Sequence, residues 1–268
     1  MLLVVNIGNT NITVAVYSGE RPLVCGRLHT DIRRTADEYA IVLDGLMARH
    51  GLEPGQVESV AVCSVVPELI PVFAAVARDQ LMADALTIGP GLALGIELGY
   101  EDPGELGADR IADAEAAYSR YGGPVIAVDL GTATTVNAVT AAGLFAGGAI
   151  APGIGIASEA LFQRAVRLPR IELSVPPNAI GRSTADGLRS GIVFGFAGQV
   201  DALVTRVAGE LGGHPTVVAT GGLAHVVSQV SRTIEHVDPL LTLEGIRLIH
   251  DRNRGRRDGA CSRGVQAQ

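Results

Sequence analysis

Two stretches of this chain are near-copies of each other, and no other feature constrains its fold as much. Val4-Val5-Asn6-Ile7-Gly8-Asn9-Thr10-Asn11 runs from an apolar strand into a small polar turn, and Val128-Asp129-Leu130-Gly131-Thr132-Ala133-Thr134 does the same. A shift of 123 residues aligns Val5 with Val128, Asn6 with Asp129, Ile7 with Leu130 and Gly8 with Gly131. A second apolar run follows each copy, Ile12 to Tyr17 and Thr135 to Thr140. One Gly-Asn pair between β-rich runs is a hairpin signal. Its repetition, with a polar residue at the same offset before each glycine, predicts a site. Glycine permits a tight or left-handed turn and close approach of a ligand, and clustered N–H groups form an anion nest. Two such turns suit a polyphosphate with a metal ion. Self-similarity on this scale also predicts two related lobes.

The rest of the chain bounds the chemistry. At 268 residues with 47% apolar content and 34 glycines, it is long and apolar enough for a compact α/β core. A net charge of −7 makes nucleic acid a poor partner. All 21 basic residues are arginine. That excludes a Walker A lysine, a Schiff-base lysine and the strand lysine of protein kinases. Phosphate charge must then be met by backbone N–H groups, hydroxyls, arginine or a metal. Cys25, Cys63 and Cys261 have no metal or redox spacing, and Cys25 and Cys63 are expected as buried thiols in a reducing cytoplasm. No leader is expected from the N-terminus, and no run is expected to span a membrane, so a soluble cytoplasmic protein is predicted.

Patterning predicts strands near 2–7, 12–17 and 23–29 as an antiparallel meander. A helix capped by Thr35, with Glu38 in capping-box position, should run to about His50. Next come a strand over Val57 to Val62, a helix opened by Pro67 and a strand over Ala85 to Ile88. A loop-rich stretch is expected from Gly89 to Gly107, then a helix from Gly107 to Tyr121. Strands at 125–130, 135–140 and 144–150 repeat the meander. A helix over Ile156 to Val166 and a long one over 184–211 follow. Gly187, Gly191, Gly195 and Gly198 in the latter predict close packing or a break. A strand over Val217 to Thr220, a Gly221-Gly222 turn and helices over 223–232 and 242–250 complete the chain. The expected class is α/β, a duplicated ribonuclease-H-like fold of the actin, sugar-kinase and chaperone ATPase superfamily. It should have two mixed sheets flanked by helices. The lobes are expected over 1–114 and 115–252, with a poorly ordered tail over 253–268.

Several motifs occur in order along this frame: IGNTN, HT with RTADEY, SVVP, GADR at 107–110, DLGTATT at 129–135, GGAIAPGI, IGRSTADGLRSG and ATGG. Together they resemble a type III pantothenate kinase over about residues 1–250. The resemblance implies transfer of the ATP γ-phosphoryl group to pantothenate, the first step of coenzyme A synthesis. It further implies a homodimer and a need for Mg²⁺ and a monovalent cation, K⁺ or NH₄⁺. Residue by residue, Asp109 matches the general base; alone, it would read as a first-turn Asp favoured by the helix dipole. Gly107, Ala108, Arg110, Tyr100 and Thr184 match pantothenate contacts, Thr184 at or near the dimer interface. Asn6, Ile7, Gly8, Asn9, Thr10, Asn11, Ile12 and Thr13 match the first ATP segment, with Thr132, Gly221 and Gly222 as further contacts. Asp129 matches the monovalent-cation ligand.

One departure stands out. The family has Asp where this chain has Asn6, at the Mg²⁺ site, and the internal repeat also predicts Asp there. Asn keeps one acceptor oxygen but loses the charge, whereas hard cations prefer anionic oxygen. An inactive engineered form, a variant with another compensating carboxylate, and a kinase-like protein that has left catalysis all stay open. So do two rivals of function: a non-catalytic nucleotide-binding regulator resembling the Bvg accessory factors, and another small-molecule kinase of the superfamily. A dinucleotide fold through Gly153-Ile154-Gly155 is rejected, because Ser158 replaces the third glycine and no parallel βαβ unit precedes it.

Overall fold

A computed structural model describes residues 1–165 and 168–254. It divides the chain into two compact units, each best followed from its central strand. In the first unit β1 (Leu2–Ile7) is buried along nearly its whole length. It pairs antiparallel with β2 (Asn11–Ser18), which pairs antiparallel with β3 (Arg21–His29). Helix α1 (Ala36–Ala48) follows, and its N-terminus carries the expected capping box: Glu38 N–H donates to Thr35 Oγ1, and Thr35 N–H donates to the Glu38 carboxylate. Parallel strands β4 (Ser59–Ser64) and β5 (Ala85–Thr87) lie on the other side of β1, joined through α2 (Ile70–Gln80). Pro67 opens a 3₁₀ turn, Pro67–Leu69, and α2 begins only after it. The strand order is β3-β2-β1-β4-β5. Tyr39, Leu43 and Met47 of α1 join Phe73 and Val76 of α2 on the core face of this sheet.

In the second unit β7 (Val125–Leu130), β8 (Ala133–Val139) and β9 (Leu144–Pro152) repeat the meander, and β10 (Thr216–Thr220) and β11 (His236–Val237) add parallel strands beside β7. The order β9-β8-β7-β10-β11 is that of the first sheet. A further strand, β6 (Glu97–Leu98), pairs with Leu144 and Phe145 at the edge, inside the stretch expected to be loop. Two residues are too short to leave a periodic signal. Because β9 runs antiparallel to β8, the Gly153 turn follows a meander, and the dinucleotide reading fails on topology as well.

Helix α4 (Ile154–Arg164) starts two residues earlier than expected, and the predicted end at Val166 falls outside the described residues. Helix α5 (Thr184–Leu211) is capped by the Ser183 side chain and runs without a break. A Cβ added at Gly187, Gly191, Gly195 or Gly198 would meet nothing within 4 Å. Gly191, Gly195 and Gly198 therefore neither break the helix nor pack closely against the described chain, whereas Gly187 is closely approached by Gly181, where an added Cβ would lie 2.3 Å from the Gly187 nitrogen. By length and composition α5 could cross a membrane, against the expectation that no run would. One side of it, with Ile192, Ala197, Val200 and Val204, forms part of the unit's core. Helix α6 (Ala224–Ser228) stops short of the expected Arg232. The chain turns away because the Asp201 carboxylate accepts from the Ser231 hydroxyl and from the N–H groups of Arg232 and Thr233.

Helix α7 (Leu241–Asn253) runs three residues past the expected end. The first unit comprises Met1–Gly95, Asp102–Glu115 and Thr242 onward; the second comprises Ile96–Glu101 and Ala116–Leu241. Residues 242–252, expected in the second lobe, thus group with the first, and helix α3 (Ala108–Tyr121) has residues in both. Within the first unit α3 and α7 cross closely: a Cβ at Gly245 would lie 1.9 Å from the Ala112 carbonyl oxygen. Cys25 faces outward from β3, contrary to expectation, because the alternation there buries Val24; Cys63 is buried as expected. Cys261 and the predicted tail, beyond Arg254, lie outside the described residues.

Candidate active site

In the first unit, β1 ends at the turn formed by Gly8, Asn9 and Thr10. Gly8 N–H donates to the Asn11 carbonyl at 3.0 Å, and Thr30 fastens the turn from outside. Its hydroxyl donates to Gly8 O at 2.7 Å and its N–H to Thr10 O at 3.1 Å. The second turn is one residue shorter and closes through Gly131 N–H donating to Ala133 O at 3.1 Å. Two expectations change here. Both glycine N–H groups are spent inside their turns, so neither serves an anion in this conformation. Neither glycine is left-handed among the positive-φ residues. What favours glycine is space: a Cβ would lie a tight 3.1 Å from Asn11 O at position 8 and 3.2 Å from Asp129 Oδ2 at position 131. Asn9, Thr10 and Asn11 are exposed, Ile12 is buried, and Asn6 and Thr13 are half-buried and face each other across β1 and β2.

Helix α3 brings the GADR residues to the same unit. Gly107 O accepts from the N–H groups of Arg110 and Ile111, starting the helix. A Cβ on Gly107 would lie 2.7 Å from Asp109 Oδ1, so glycine makes room for that carboxylate. Asp109 accepts from Arg110 N–H at 2.8 Å. Burial raises the Asp109 carboxyl above its ordinary value, outweighing that hydrogen bond and the Arg110 charge, which pull it down. A carboxylate held this way is a better proton acceptor than a solvated one. Arg110 itself is 6% exposed.

Two further acidic residues of this unit escaped the sequence reading. Asp113, one helical turn beyond Asp109, is buried and accepts from the Thr242 hydroxyl at 2.6 Å. Glu115, also buried, takes Arg252 Nε at 2.9 Å and Gly95 N–H at 2.7 Å. The i, i+4 spacing from Asp109 to Asp113 was the available signal, since it puts both on one helix face.

In the second unit, Asp129 ends β7 and lies opposite Thr135 on one side and Thr220 on the other. Gly221, at φ +92°, packs directly on it: a Cβ would lie 2.4 Å from Asp129 Oδ1 and 2.7 Å from the Leu130 carbonyl carbon. Gly153, just before α4, approaches Thr132 so closely that a Cβ would lie 2.2 Å from its carbonyl oxygen. Asp129, Thr132, the Gly221-Gly222 turn and the N-terminus of α4 therefore converge at one end of this sheet. Tyr100 lies beyond β6, its ring 6.0 Å from Phe145. Thr184 is the exposed first residue of α5, beside a groove of about 590 Å³ lined by Leu161, Leu188, Ile192 and Phe196. The cap role falls to Ser183.

Two mixed sheets of the same strand order, each ending in a small-residue turn beside an acidic or amide residue, define an α/β protein of the actin and sugar-kinase class. Solved structures agree on the fold. An activator of 2-hydroxyisocaproyl-CoA dehydratase from Clostridium difficile, with bound ADPNP, matches with a TM-score of 0.56 at 12% identity, covering 96% of this chain and 97% of that one. A chain from Campylobacter jejuni, provisionally described as a Baf family transcriptional activator, gives 0.58 at 20% identity, covering 94% and 98%. Sequence is more specific than fold here. Residues 2–206 match the type III pantothenate kinase family, and the chain belongs to that family. A type III pantothenate kinase from Moorella thermoacetica is 46% identical over 253 residues, 94% of this chain and all of that protein. One from Myxococcus xanthus is 45% identical, covering 94% and 99%.

Proposed function

We propose that this protein transfers the γ-phosphoryl group of ATP to the terminal hydroxyl of pantothenate, giving 4'-phosphopantothenate for coenzyme A synthesis, with Asp109 as general base. The observation that carries the reading is the state of Asp109: a half-buried carboxylate at the start of α3, raised by burial, in a chain that belongs to this family. Phosphoryl transfer asks the protein mainly for positioning and charge neutralisation, plus an acceptor for the hydroxyl proton. Asp109 takes that proton. Arg110, Tyr100, Gly107, Ala108 and Thr184 hold pantothenate, the guanidinium suiting a carboxylate. Residues 6–13, Thr132, Gly221 and Gly222 hold ATP.

Magnesium, when bound, neutralises charge on the phosphate oxygens. The donor set fits it in kind, with an amide oxygen at Asn6 and hydroxyls at Thr10 and Thr13, and Asp129 offers an anionic oxygen to a monovalent cation. The protein works in the cytoplasm without nucleic acid or membrane. It works as a homodimer, a reading supported by α5: its glycine row is open, and the neighbouring Ile156 and Leu161 are 53% and 40% exposed. That surface also accounts for the hydropathy of α5 without a lipid bilayer.

ADP release with pantothenate, Mg²⁺ and K⁺ tests the reading. Turnover is expected, and Asp109→Asn should reduce kcat by about 10²–10⁴-fold, the usual worth of a positioned acid or base. Turnover unaffected by that change would remove Asp109 from the chemistry. Asn6 favours a second reading, a nucleotide-binding regulator. ATP binding without turnover, where a control kinase is active, would select it.

A further inference from the structure

Within the first unit, α3 carries two buried carboxylates beyond Asp109, and α7 meets both. Asp113 and Glu115 are each 1% exposed. The Thr242 hydroxyl, in the first turn of α7, donates to Asp113 at 2.6 Å. Arg252 Nε, in its last turn, donates to Glu115 at 2.9 Å, and Gly95 N–H donates to the same carboxylate at 2.7 Å. Between these two ties, Gly245 lets the α7 backbone come up against Ala112. A buried carboxylate is expensive unless donors or a cation meet its charge. The placement of α3 therefore depends on its partners in α7.

For Asp109 the motion that matters is rotation of α3 about its own axis. Successive helical residues are about 100° apart, so Asp113 lies one turn along and about 40° round from Asp109, whereas Glu115 lies about 120° away. The bond from Thr242 is thus made on the side of the helix that carries Asp109. Hydroxyl-to-carboxylate bonds of this length belong to the short, charge-assisted class. A side-chain tip about 5–6 Å from the axis moves about 1 Å for every 10° of rotation. A misplacement of about 1 Å can cost 10²-fold in rate. A small rotation is enough.

We propose that Thr242 is a positioning residue: its hydroxyl, by holding Asp113, fixes the rotation of α3 at which Asp109 meets the pantothenate hydroxyl. Thr242 acts through the helix and needs no contact with substrate. The inference rests on the proposed role of Asp109 as general base.

The test compares steady-state ADP release by five full-length proteins: the parent, Thr242→Val, Thr242→Ser, Asp109→Asn, and Thr242→Val combined with Asp109→Asn. Valine keeps the shape of threonine and removes the donor; serine keeps the donor. Thr242→Val should lower kcat by about 10–100-fold and leave the KM for ATP unchanged, and Thr242→Ser should recover most of the loss. With Asp109→Asn already in place, valine at 242 should cost nothing more, because the group it misplaces is gone. An unchanged kcat in Thr242→Val would overturn the proposal, as would a serine variant as slow as the valine one. So would the same fold-loss with and without Asp109, the outcome of a general loosening of the core. If Thr242→Val does not fold, the bond serves the core alone and the proposal falls. A parent that does not turn over pantothenate, or an Asp109→Asn protein as fast as the parent, instead sinks the proposed function and takes this inference with it.

Discussion

Replacing Gly245 by alanine sets two effects of known size against each other. In an open helix interior the change would stabilise by about 1 kcal/mol, because glycine loses more backbone freedom on folding than alanine. At 245 the new Cβ would lie 1.9 Å from the Ala112 carbonyl oxygen, 2.5 Å from its carbon and 2.9 Å from its Cα. All three atoms are backbone, so no rotamer change relieves the clash; α3 and α7 must separate. Overpacking of this kind costs roughly 1–3 kcal/mol or more, enough to cancel the propensity gain and reverse the sign. At about 2–4 °C per kcal/mol for a chain near this size, Gly245→Ala should lower the melting temperature by several degrees. Gly45 of α1 is the control: an added Cβ there meets nothing within 4 Å, so Gly45→Ala should raise the melting temperature slightly. Asp109 lies three residues before Ala112 on the displaced helix, and a misplacement of about 1 Å can cost 10²-fold in rate. Gly245→Ala should therefore lose activity below its melting transition, and Gly45→Ala should not. A Gly245→Ala protein as stable and active as its parent would show that α3 and α7 do not cross at this distance.

Three further outcomes are expected. Because burial raises the Asp109 carboxyl, the acid limb of the pH–rate profile should fall above the ordinary aspartate range. A folded-state value above the unfolded one means that this group's contribution to stability is complete below about 3.8 and lost as pH rises through the folded value. Asp109→Asn should thus melt no lower than the parent at pH 7 while losing turnover; a marked drop in melting temperature would refute the assignment of burial as the cause. Gly221→Ala forces a Cβ to within 2.4 Å of Asp129 at a positive φ, and should abolish ATP binding by calorimetry. Asp201 is held below its ordinary value by hydrogen bonds from Ser231, Arg232 and Thr233, which outweigh its burial. Its stabilisation is present above the unfolded value and lost as pH falls through the folded one. Asp201→Asn should therefore narrow the stability difference between pH 7 and pH 3, as read by urea unfolding.

Much of the fold could be read from the chain because its signals are local or repeated. The Thr35 cap, the apolar runs of β1 and β2 and the 123-residue repeat each act over a few residues or restate themselves. The misses share a cause of the opposite kind. β6 exists because Leu144 and Phe145 offer it an edge, not through any pattern in Glu97 and Leu98. The end of α6 is set by Asp201, about 30 residues earlier in the chain. Asp113 looked like one polar position on an amphipathic helix until Thr242 was found against it. At the turns, Gly8 and Gly131 serve the tight rather than the left-handed alternative of the sequence reading, and Gly221 alone of the three uses a positive φ.

The return of α7 to the first unit has a consequence for synthesis. A chain leaving the ribosome N-terminus first has made both turns and Asp109 long before Thr242 and Gly245 exist. Until then Ala112 has no partner to seat against and Asp113 lacks its hydroxyl donor. The first unit is thus the earliest begun and the last closed. A nascent or prematurely terminated chain holds both turns and Asp109 without the segment that braces the helix carrying that carboxylate. The seating of α3 against α7 therefore waits on the last part of translation.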